Sequence, residues 1–360
     1  MASPLLGSVT SYRVSSMQLR DGIVEAIGNT PLIKLKRVSE ETGCTILGKA
    51  EFMNPGQSVK DRAGRTMILQ AEKRGELRPG GLVVESTAGN TGIGLALVAA
   101  ARGYRTLIVI PETQSQEKKD MLRLCGAELV EVPALPFSNP NNYQHVGRRL
   151  ADELKKTEPN GVIFADQWNN LDNRRAHYVS TGPEIWQQTD GKVDAFVSTV
   201  GTGGTLAGAS TFLREMKKDI VIGCADPRGA AMYNLFAHGE AKSTEGGSIT
   251  EGIGLGRVTP IIEDIKCEKA YLIPDEEAIP LIFDLLEHEG LCLGGSSAIN
   301  IAGAVRLAKD LGRGKTIVTL LCDSGTRYQS KLYDPAFLRS KNLPVPAWLE
   351  RKSKIKPPYV

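Results

Sequence analysis

The feature that most limits the fold of this chain is a regular alternation of short apolar runs with longer amphipathic segments. The apolar runs, rich in Val, Ile and Leu, occupy residues 32–35, 45–51, 82–85, 106–110, 128–132, 162–164, 195–198, 221–224, 271–273 and 316–321. Segments with helical periodicity separate many of them, at about 63–73, 91–101, 116–124, 143–155, 172–188, 204–217, 275–289 and 296–310. Continuous apolar strands that alternate with helices are typical of a sheet buried on both faces. The sequence therefore predicts an α/β fold with a mostly parallel sheet.

The length and charge of the chain limit its architecture and its partners. With 360 residues, of which 41% are hydrophobic, the chain is long enough for two domains and a substantial core. The formal net charge of +3 gives no indication of a nucleic-acid surface or a membrane patch. No apolar run approaches the ~18–20 residues that span a bilayer. We therefore expect neither nucleic acid nor a membrane as a partner.

Cysteine and histidine positions bear on metal binding and on the cellular compartment. The six cysteines are far apart and form no C-x-x-C pair, which is typical of reduced thiols in an intracellular protein. The four histidines are scattered, so we expect no metal site. Residues 1–20 contain five serines, two arginines and no acidic residue. The prediction is a cytoplasmic protein, with a mitochondrial location as the alternative if residues 1–20 act as a transit peptide.

A lysine follows a loop signal in the segment N-P-G-Q-S-V-K-D-R, residues 54–62. The Asn-Pro-Gly turn leads directly to Lys60 at the predicted start of a helix, and the Ser58 hydroxyl is placed to cap that helix. A lysine held at a rigid loop–helix junction suits a Schiff-base nucleophile, because nearby cations or partial desolvation lower the pKa of its amine. The alternative is an ordinary solvated lysine at a helix start.

Three glycine-containing turns follow predicted strands and open predicted helices. The first, residues 86–92, combines hydroxyls, backbone N–H groups and a helix N-terminus, which suits an anion such as a substrate carboxylate. The second, residues 201–205, fails the G-x-G-x-x-G pattern because Leu206 replaces the third glycine, and it suits a single phosphate. The third, residues 294–297, offers a hydroxyl as a helix cap or a ligand contact. Each turn by itself is also compatible with an ordinary glycine turn that connects a strand to a helix and binds no ligand.

Taken in order, the motifs N-P-x-x-S-V-K-D-R, T-x-G-N-T-G and G-T-G-G-T resemble those of the fold-type II pyridoxal-phosphate (PLP) enzymes. The resemblance is to the cysteine synthase (O-acetylserine sulfhydrylase) and cystathionine β-synthase family, and it extends from about Ile23 to Tyr328. Further matching segments are G-N-T-P-L at 28–32, Q-W at 167–168, T-G-P-E-I-W at 181–186, E-G-I-G at 251–254 and D-S-G-T-R-Y at 323–328.

The resemblance implies a specific architecture. It consists of two open, twisted, mostly parallel sheets flanked by helices, similar to the β subunit of tryptophan synthase, with the active site between two domains. The smaller, mobile domain would comprise residues 49–159, and the larger domain residues 1–48 together with 160–335. Residues 336–360 would form a C-terminal tail.

The resemblance also implies site residues, one by one. Lys60 is similar to the Schiff-base lysine, Asn90 to the residue that binds the ring hydroxyl of PLP, and Ser296 to the residue at its pyridine nitrogen. The phosphate would be bound by Gly201, Thr202, Gly203, Gly204 and Thr205. The substrate carboxylate would be bound by Thr87, Thr91 and Gln167, with Ala88 and Gly89 in the same turn. Ala88 stands where the family commonly has serine, which bears on the substrate preference rather than on the cofactor.

The implied reaction is a PLP-dependent β-replacement that makes L-cysteine from O-acetyl-L-serine and sulfide, through an aminoacrylate intermediate. The implied partners are the amino-acid substrate, sulfide, a second copy of the chain in a homodimer, and a serine acetyltransferase. One alternative is the condensation of serine with homocysteine by a cystathionine β-synthase. We expect the first, because the chain ends too soon for an appended regulatory module and residues 1–20 contain no Cys or His for a haem. The other alternative is a catalytically silent scaffold of the same fold.

Overall fold

The structure, a computed structural model, describes residues 19–87, 89–353 and 355. The strands of this part of the chain are β1 Leu32–Lys34, β2 Thr45–Ala50, β3 Leu82–Ser86, β4 Arg105–Pro111, β5 Ala127–Val132, β6 Val162–Phe164, β7 Ala195–Ser198, β8 Val221–Pro227, β9 Lys269–Ile273 and β10 Thr316–Leu321. The helices are α1 Ile23–Ala26, α2 Lys36–Thr42, α3 Lys60–Lys73, α4 Asn90–Arg102, α5 Gln116–Leu124, α6 Tyr143–Leu154, α7 Leu171–Ala176, α8 Gly182–Gln188, α9 Gly204–Met216, α10 Met232–His238, α11 Asp275–Glu289, α12 Gly295–Leu311 and α13 Pro335–Ser340.

The strands form two sheets. A six-stranded sheet has the order β1-β2-β10-β7-β8-β9, in which β1 is antiparallel to β2 and the other neighbours are parallel. A four-stranded sheet has the order β5-β4-β3-β6 and is parallel throughout. This arrangement confirms the predicted α/β class with two mostly parallel sheets flanked by helices.

Both sheets are covered on their two faces, which explains the continuous apolar strands. Side chains of α11 and α12 pack on one face of the six-stranded sheet, and those of α8 and α9 pack on the other. The four-stranded sheet is covered by α3 and α4 on one part of its surface and by α6 elsewhere. Within the described ranges, no helix is both long and apolar enough to cross a membrane.

Sheet membership and the predicted domain limits do not coincide. Strand β2 crosses the predicted limit at residue 48 and lies in the six-stranded sheet. Strand β6, predicted for the larger domain, pairs with β3 in the four-stranded sheet. A division that follows the sheets would therefore start the smaller unit after β2 and end it after β6. Two domains that move relative to each other remain a prediction.

The segment predicted as one helix at 172–188 contains a π-helical stretch, His177–Thr181, between α7 and α8. Its wide turn is accompanied by a 2.9 Å hydrogen bond between His177 Nδ1 and Thr181 Oγ1. Helices α2, α10 and α13 were not predicted, since short helices carry little periodicity. The sequence signal for residues 1–20 falls almost entirely outside the described residues.

Candidate active site

A cavity of about 230 Å³ lies where the carboxyl ends of strands from both sheets meet. Its walls include residues that follow β3 and β6 of the four-stranded sheet and β7 and β10 of the six-stranded sheet. The predicted site residues that line it are Lys60, Thr87, Gly89, Asn90, Thr91, Gln167, Gly201, Thr202, Gly203, Thr205 and Ser296. Gly204 lies in the same turn without lining the cavity, and Ala88 lies outside the described residues. The fold thus brings together side chains from most of the chain's length.

Lys60 occupies a firmly held junction between its loop and α3. The helix begins at Lys60 itself, and the Ser58 hydroxyl accepts the Lys60 N–H at 3.3 Å, although Val59 occupies the N-cap position. The buried Asn54 side chain donates to the Ser58 carbonyl at 3.2 Å and accepts the Gly28 N–H at 2.9 Å. These bonds restrict the loop that presents the lysine to the cavity.

A buried ion network anchors α3 below the lysine. Arg62 contacts Glu51 at 2.7 Å and Glu184 of α8 at 2.6 Å, and Lys49 contacts the second oxygen of Glu184 at 2.6 Å. Burial by itself would raise the pKa of Glu184, but Arg62 and Lys49 outweigh it and lower this pKa to about 2. Glu184 therefore stays ionised at neutral pH, and the network fixes α3 against the six-stranded sheet.

The turn between β7 and α9 has the features of a phosphate site. Gly203 has φ +95°, and a Cβ atom there would lie 2.0 Å from Ile262 Cγ2. A Cβ atom on Gly201 would lie 2.4 Å from the Gly252 carbonyl oxygen. The N-cap residue of α9, Gly203, provides no side-chain cap, and the Gly204 N–H makes only a long 3.5 Å hydrogen bond to Thr202 Oγ1. The N–H groups in the first turn of a helix have no intrahelical partner, so this turn can bind an anion. This glycine cradle at an uncapped helix N-terminus fits the phosphate of PLP.

The cavity wall also contains polar groups that suit the ring of the cofactor. Ser296, the second residue of α12, is buried and lines the cavity, while the adjacent Ser297 hydroxyl accepts the Cys322 N–H at 2.9 Å. Thr199 also lines the cavity, and its buried hydroxyl has no hydrogen-bond partner in the described structure. Because an unpartnered buried hydroxyl is costly, Thr199 indicates a polar ligand.

The predicted substrate turn joins two separate strand ends. Thr91 Oγ1, in the first turn of α4, donates to Gln167 Oε1 at 2.6 Å, although the two residues are 76 positions apart. Thr87 Oγ1 accepts the Gly89 N–H at 3.2 Å. Behind the turn, the buried carboxyl of Glu85 accepts the Gln167 N–H at 3.1 Å, and burial raises the pKa of Glu85 to about 8. A hydroxyl, an amide and a helix N-terminus thus converge at one wall.

An ion pair between elements of the two sheets was not predicted from the sequence. Lys118 of α5 contacts the carboxylate of Glu251, which also contacts Lys331 at 2.7 Å. The Lys118 ammonium lies 5.3 Å from the centre of the Tyr328 ring. Burial would raise the pKa of Glu251, but Lys118 outweighs burial and keeps this pKa below its usual value. Glu251 lies in the matching E-G-I-G segment, whereas Lys118 lies on a polar helix, where lysines are usually solvated.

Among residues 19–87, 89–353 and 355, no group of three or more His, Cys, Asp or Glu side chains is arranged to hold a metal ion.

Comparisons with known proteins agree with the geometry. The sequence profile of the family described as pyridoxal-phosphate dependent enzyme matches residues 23–323. Cysteine synthase 1 of Neurospora crassa is 51% identical over 326 residues, which cover 89% of this chain and 85% of the relative. The crystal structure of O-ureido-L-serine synthase superimposes with a TM-score of 0.78 at 32% identity, covering 88% of this chain and 96% of that one.

A second solved structure extends the comparison. The O-acetylserine dependent cystathionine β-synthase from Helicobacter pylori superimposes with a TM-score of 0.77 at 31% identity, covering 88% of this chain and 99% of that one. These matches confirm the resemblance that the three motifs indicated. The chain belongs to the pyridoxal-phosphate dependent enzyme family.

Proposed function

We propose that this protein is a cysteine synthase, which makes L-cysteine from O-acetyl-L-serine and sulfide by PLP-dependent β-replacement. The observation that carries the proposal is the single cavity in which Lys60, the uncapped start of α9 and the Thr91–Gln167 pair converge. The 51% identity to a cysteine synthase over most of both chains supports the same reaction.

The residues of the cavity divide into those that hold the cofactor and those that bind the substrate. Lys60 would bind PLP covalently through its amine, the turn at 201–205 would bind the phosphate, and Asn90 and Ser296 would contact the ring. When bound, PLP supplies the electron sink that stabilises negative charge on the α-carbon of the substrate. The hydroxyl of Thr91 and the amide of Gln167 would hold the substrate carboxylate.

Lys60 would also serve as a base. With its amine free, it would remove the α-proton of the substrate, a role worth roughly 10²–10⁴ in rate. Ser296 is neutral, so it would not hold a proton on the pyridine nitrogen as a carboxylate does. A neutral serine at the pyridine nitrogen would limit delocalisation of negative charge from the α-carbon into the ring. It would therefore favour loss of the β-substituent over transamination.

We also propose that the cavity closes when substrate binds. The Lys118–Glu251 contact joins α5 to the segment that also supplies cavity residues 252–255. Substrate bound at the Thr87–Thr91 turn would draw the smaller unit toward the larger one and exclude water from the reacting atoms.

The deciding experiment compares donors and acceptors. Purified protein is assayed with serine and with O-acetylserine, each against sulfide and against homocysteine. Fast turnover of O-acetylserine with sulfide is expected. Preference for homocysteine would instead favour a cystathionine β-synthase, similar to the O-acetylserine dependent enzyme from Helicobacter pylori. A colourless protein without turnover would identify a silent scaffold.

We also propose that the protein forms a homodimer, binds a serine acetyltransferase and resides in the cytoplasm. Co-purification of a tagged chain from its own cells tests the acetyltransferase. Fractionation of the same cells tests the location, and import into mitochondria with loss of residues 1–20 would establish the alternative.

A further inference from the structure

Arg327 lies directly behind the cavity wall and connects two of its parts. The residue belongs to the 3-10 turn Gly325–Tyr328 that follows β10, and only 7% of its surface is exposed. Its guanidinium donates to the side-chain oxygen of Asn90 and to the backbone carbonyl of Gly56. Arg327 does not itself line the cavity, so its effect on a ligand must pass through these partners.

Gly56 is the middle of the loop that presents Lys60, and its peptide is held at both ends. Its N–H donates to Asp61 Oδ2 at 2.5 Å, while its carbonyl accepts from Arg327. A Cβ atom on Gly56 would lie 2.5 Å from Asp61 Oδ1, so the position requires glycine. The loop is therefore fixed between a buried carboxyl and a buried guanidinium.

Asn90 is also held from two directions. Its Nδ2 donates to Asp323 Oδ2 at 2.7 Å, and the same oxygen accepts the Tyr328 hydroxyl at 2.6 Å. Because a guanidinium only donates, the amide oxygen of Asn90 must face Arg327 and its nitrogen must face Asp323. The oxygen is held toward Arg327 and one of the two N–H bonds is used by Asp323, so the second N–H is the group that remains for the cavity.

We propose that Arg327, completed by Asp323, is a positioning residue that orients the Asn90 amide so that its remaining N–H, rather than its oxygen, is presented to the cofactor. A donor in this position selects a ligand atom that accepts, such as the ionised ring oxygen of PLP. The same guanidinium also binds the loop that presents Lys60. The orientation of the Asn90 amide and the position of Lys60 therefore depend on one side chain. A lysine ammonium has no planar fork, and it is a poor substitute across two partners. The inference rests on the proposed contact between Asn90 and the ring.

The test is a double-mutant cycle with PLP affinity and the visible absorbance of the bound cofactor as readouts. Arg327→Lys is expected to weaken PLP binding about 10-fold or more, because a hydrogen bond to a charged group is lost. It should also shift the absorbance maximum. In an Asn90→Ala background, the same change should weaken binding only about 3-fold, because the contact with Asn90 is already gone and only the contact with the Gly56 carbonyl remains to be lost. Melting of each apo protein records any purely structural loss.

A matched control is Arg306→Lys on α12. Arg306 also bridges a side chain and a carbonyl, contacting Glu277 at 2.9 Å and the Leu272 carbonyl at 3.0 Å, and it does not line the cavity. It is expected to leave the absorbance and the PLP affinity unchanged. Asp323→Asn serves as a second probe, since it alters the charge beside Asn90 without contacting Gly56.

The outcomes separate this inference from the site assignment. If Arg327→Lys and Asp323→Asn both leave PLP affinity and absorbance unchanged, or if their effects add fully to that of Asn90→Ala, Arg327 is not a positioning residue. If Asn90→Ala alone changes neither readout, the assignment of Asn90 to the cofactor is wrong instead. Should Arg327→Lys fail to fold, the cycle of Asp323→Asn with Asn90→Ala decides between these results.

Discussion

Lys60 is the side chain on which the proposed chemistry depends. Lys60→Ala is expected to abolish turnover and the visible absorbance of the covalently held cofactor, because no other amine is presented by the same loop. The fold should persist, since the Arg62 network that anchors α3 remains. Absorbance, circular dichroism and the cysteine assay measure this. Lys73→Ala at the other end of α3 is the control, and activity in Lys60→Ala at the wild-type level would refute the assignment.

Substitutions of Thr91 and Gln167 test the proposed binding site of the substrate carboxylate. Thr91→Ala or Gln167→Ala should lower kcat/KM for O-acetylserine by roughly 10- to 150-fold, the loss expected for one hydrogen bond to a charged group. PLP should stay bound. Thr91→Ser keeps the hydroxyl and is expected to behave like the wild type. Stopped-flow absorbance after mixing with O-acetylserine provides the rate, and an unchanged rate in both alanine variants would place the carboxylate elsewhere.

The buried carboxyl of Glu85 should make the free energy of unfolding depend on pH, and the direction of this dependence can be predicted. Burial raises its pKa to about 8 in the folded protein, whereas the unfolded chain loses the proton near the usual pKa of about 4.3. Between these values the folded state binds more protons, so the contribution of Glu85 to stability falls as pH rises. Each pKa unit corresponds to about 1.4 kcal/mol.

The variant Glu85→Gln cannot ionise, so its stability relative to the wild type should increase from about pH 5 to pH 8 and level off above that. Unfolding in urea at several pH values measures the difference. Glu128→Gln, at an exposed position on β5, is the control and should show no such trend. A difference that stays constant with pH would mean that Glu85 is ionised in the folded protein.

The start of α9 shows how a glycine turn and a helix together form an anion site. Gly203→Ala is expected to weaken PLP binding by at least about 10-fold, because the added Cβ collides with Ile262 and displaces the N–H groups. Gly239→Ala at the end of α10 is a matched control. It has φ +80° but no atom within 4 Å of the added Cβ, so it carries only the backbone strain, about 1–2 kcal/mol.

Fluorescence titration of both apo proteins with PLP separates the two effects. Equal losses of affinity in Gly203→Ala and Gly239→Ala would show that the turn does not bind the phosphate. A second contact between elements is the ion pair of Lys118 with Glu251, which connects a helix packed on one sheet to a loop that follows the other.

The two sheets share one cavity, and we expect the protein to form a dimer. Closed two-fold assemblies are the commonest oligomers, and the resemblance implies one here. Sedimentation velocity at working concentration should give the mass of two chains of 38.9 kDa each. A species of one chain at that concentration would contradict this prediction.

Features that reside in contiguous residues were predictable from the sequence. Apolar runs predicted the strands, because burial on both faces favours a continuous run of apolar residues, even where single polar residues such as Lys49 and Glu85 interrupt it. The lysine loop and the turn at 201–205 were recognisable because a turn needs particular residues next to one another. The place of Lys60, Gly201 and Gly203 on the cavity follows from these local patterns together with the ends of parallel strands.

Contacts between side chains that are distant in sequence became visible only in the folded structure. Thr91 and Gln167 are 76 positions apart, Lys118 and Glu251 are 133 apart, and Asn90 and Arg327 are 237 apart. A polar or charged side chain has the same local pattern whether it faces water or a buried partner, so no window of sequence distinguishes the two. The pairing of β6 with β3 was likewise undecided, because register and order depend on packing between the strands. Packing of the two sheets brings the strand ends together, and that step turns separate motifs into one site.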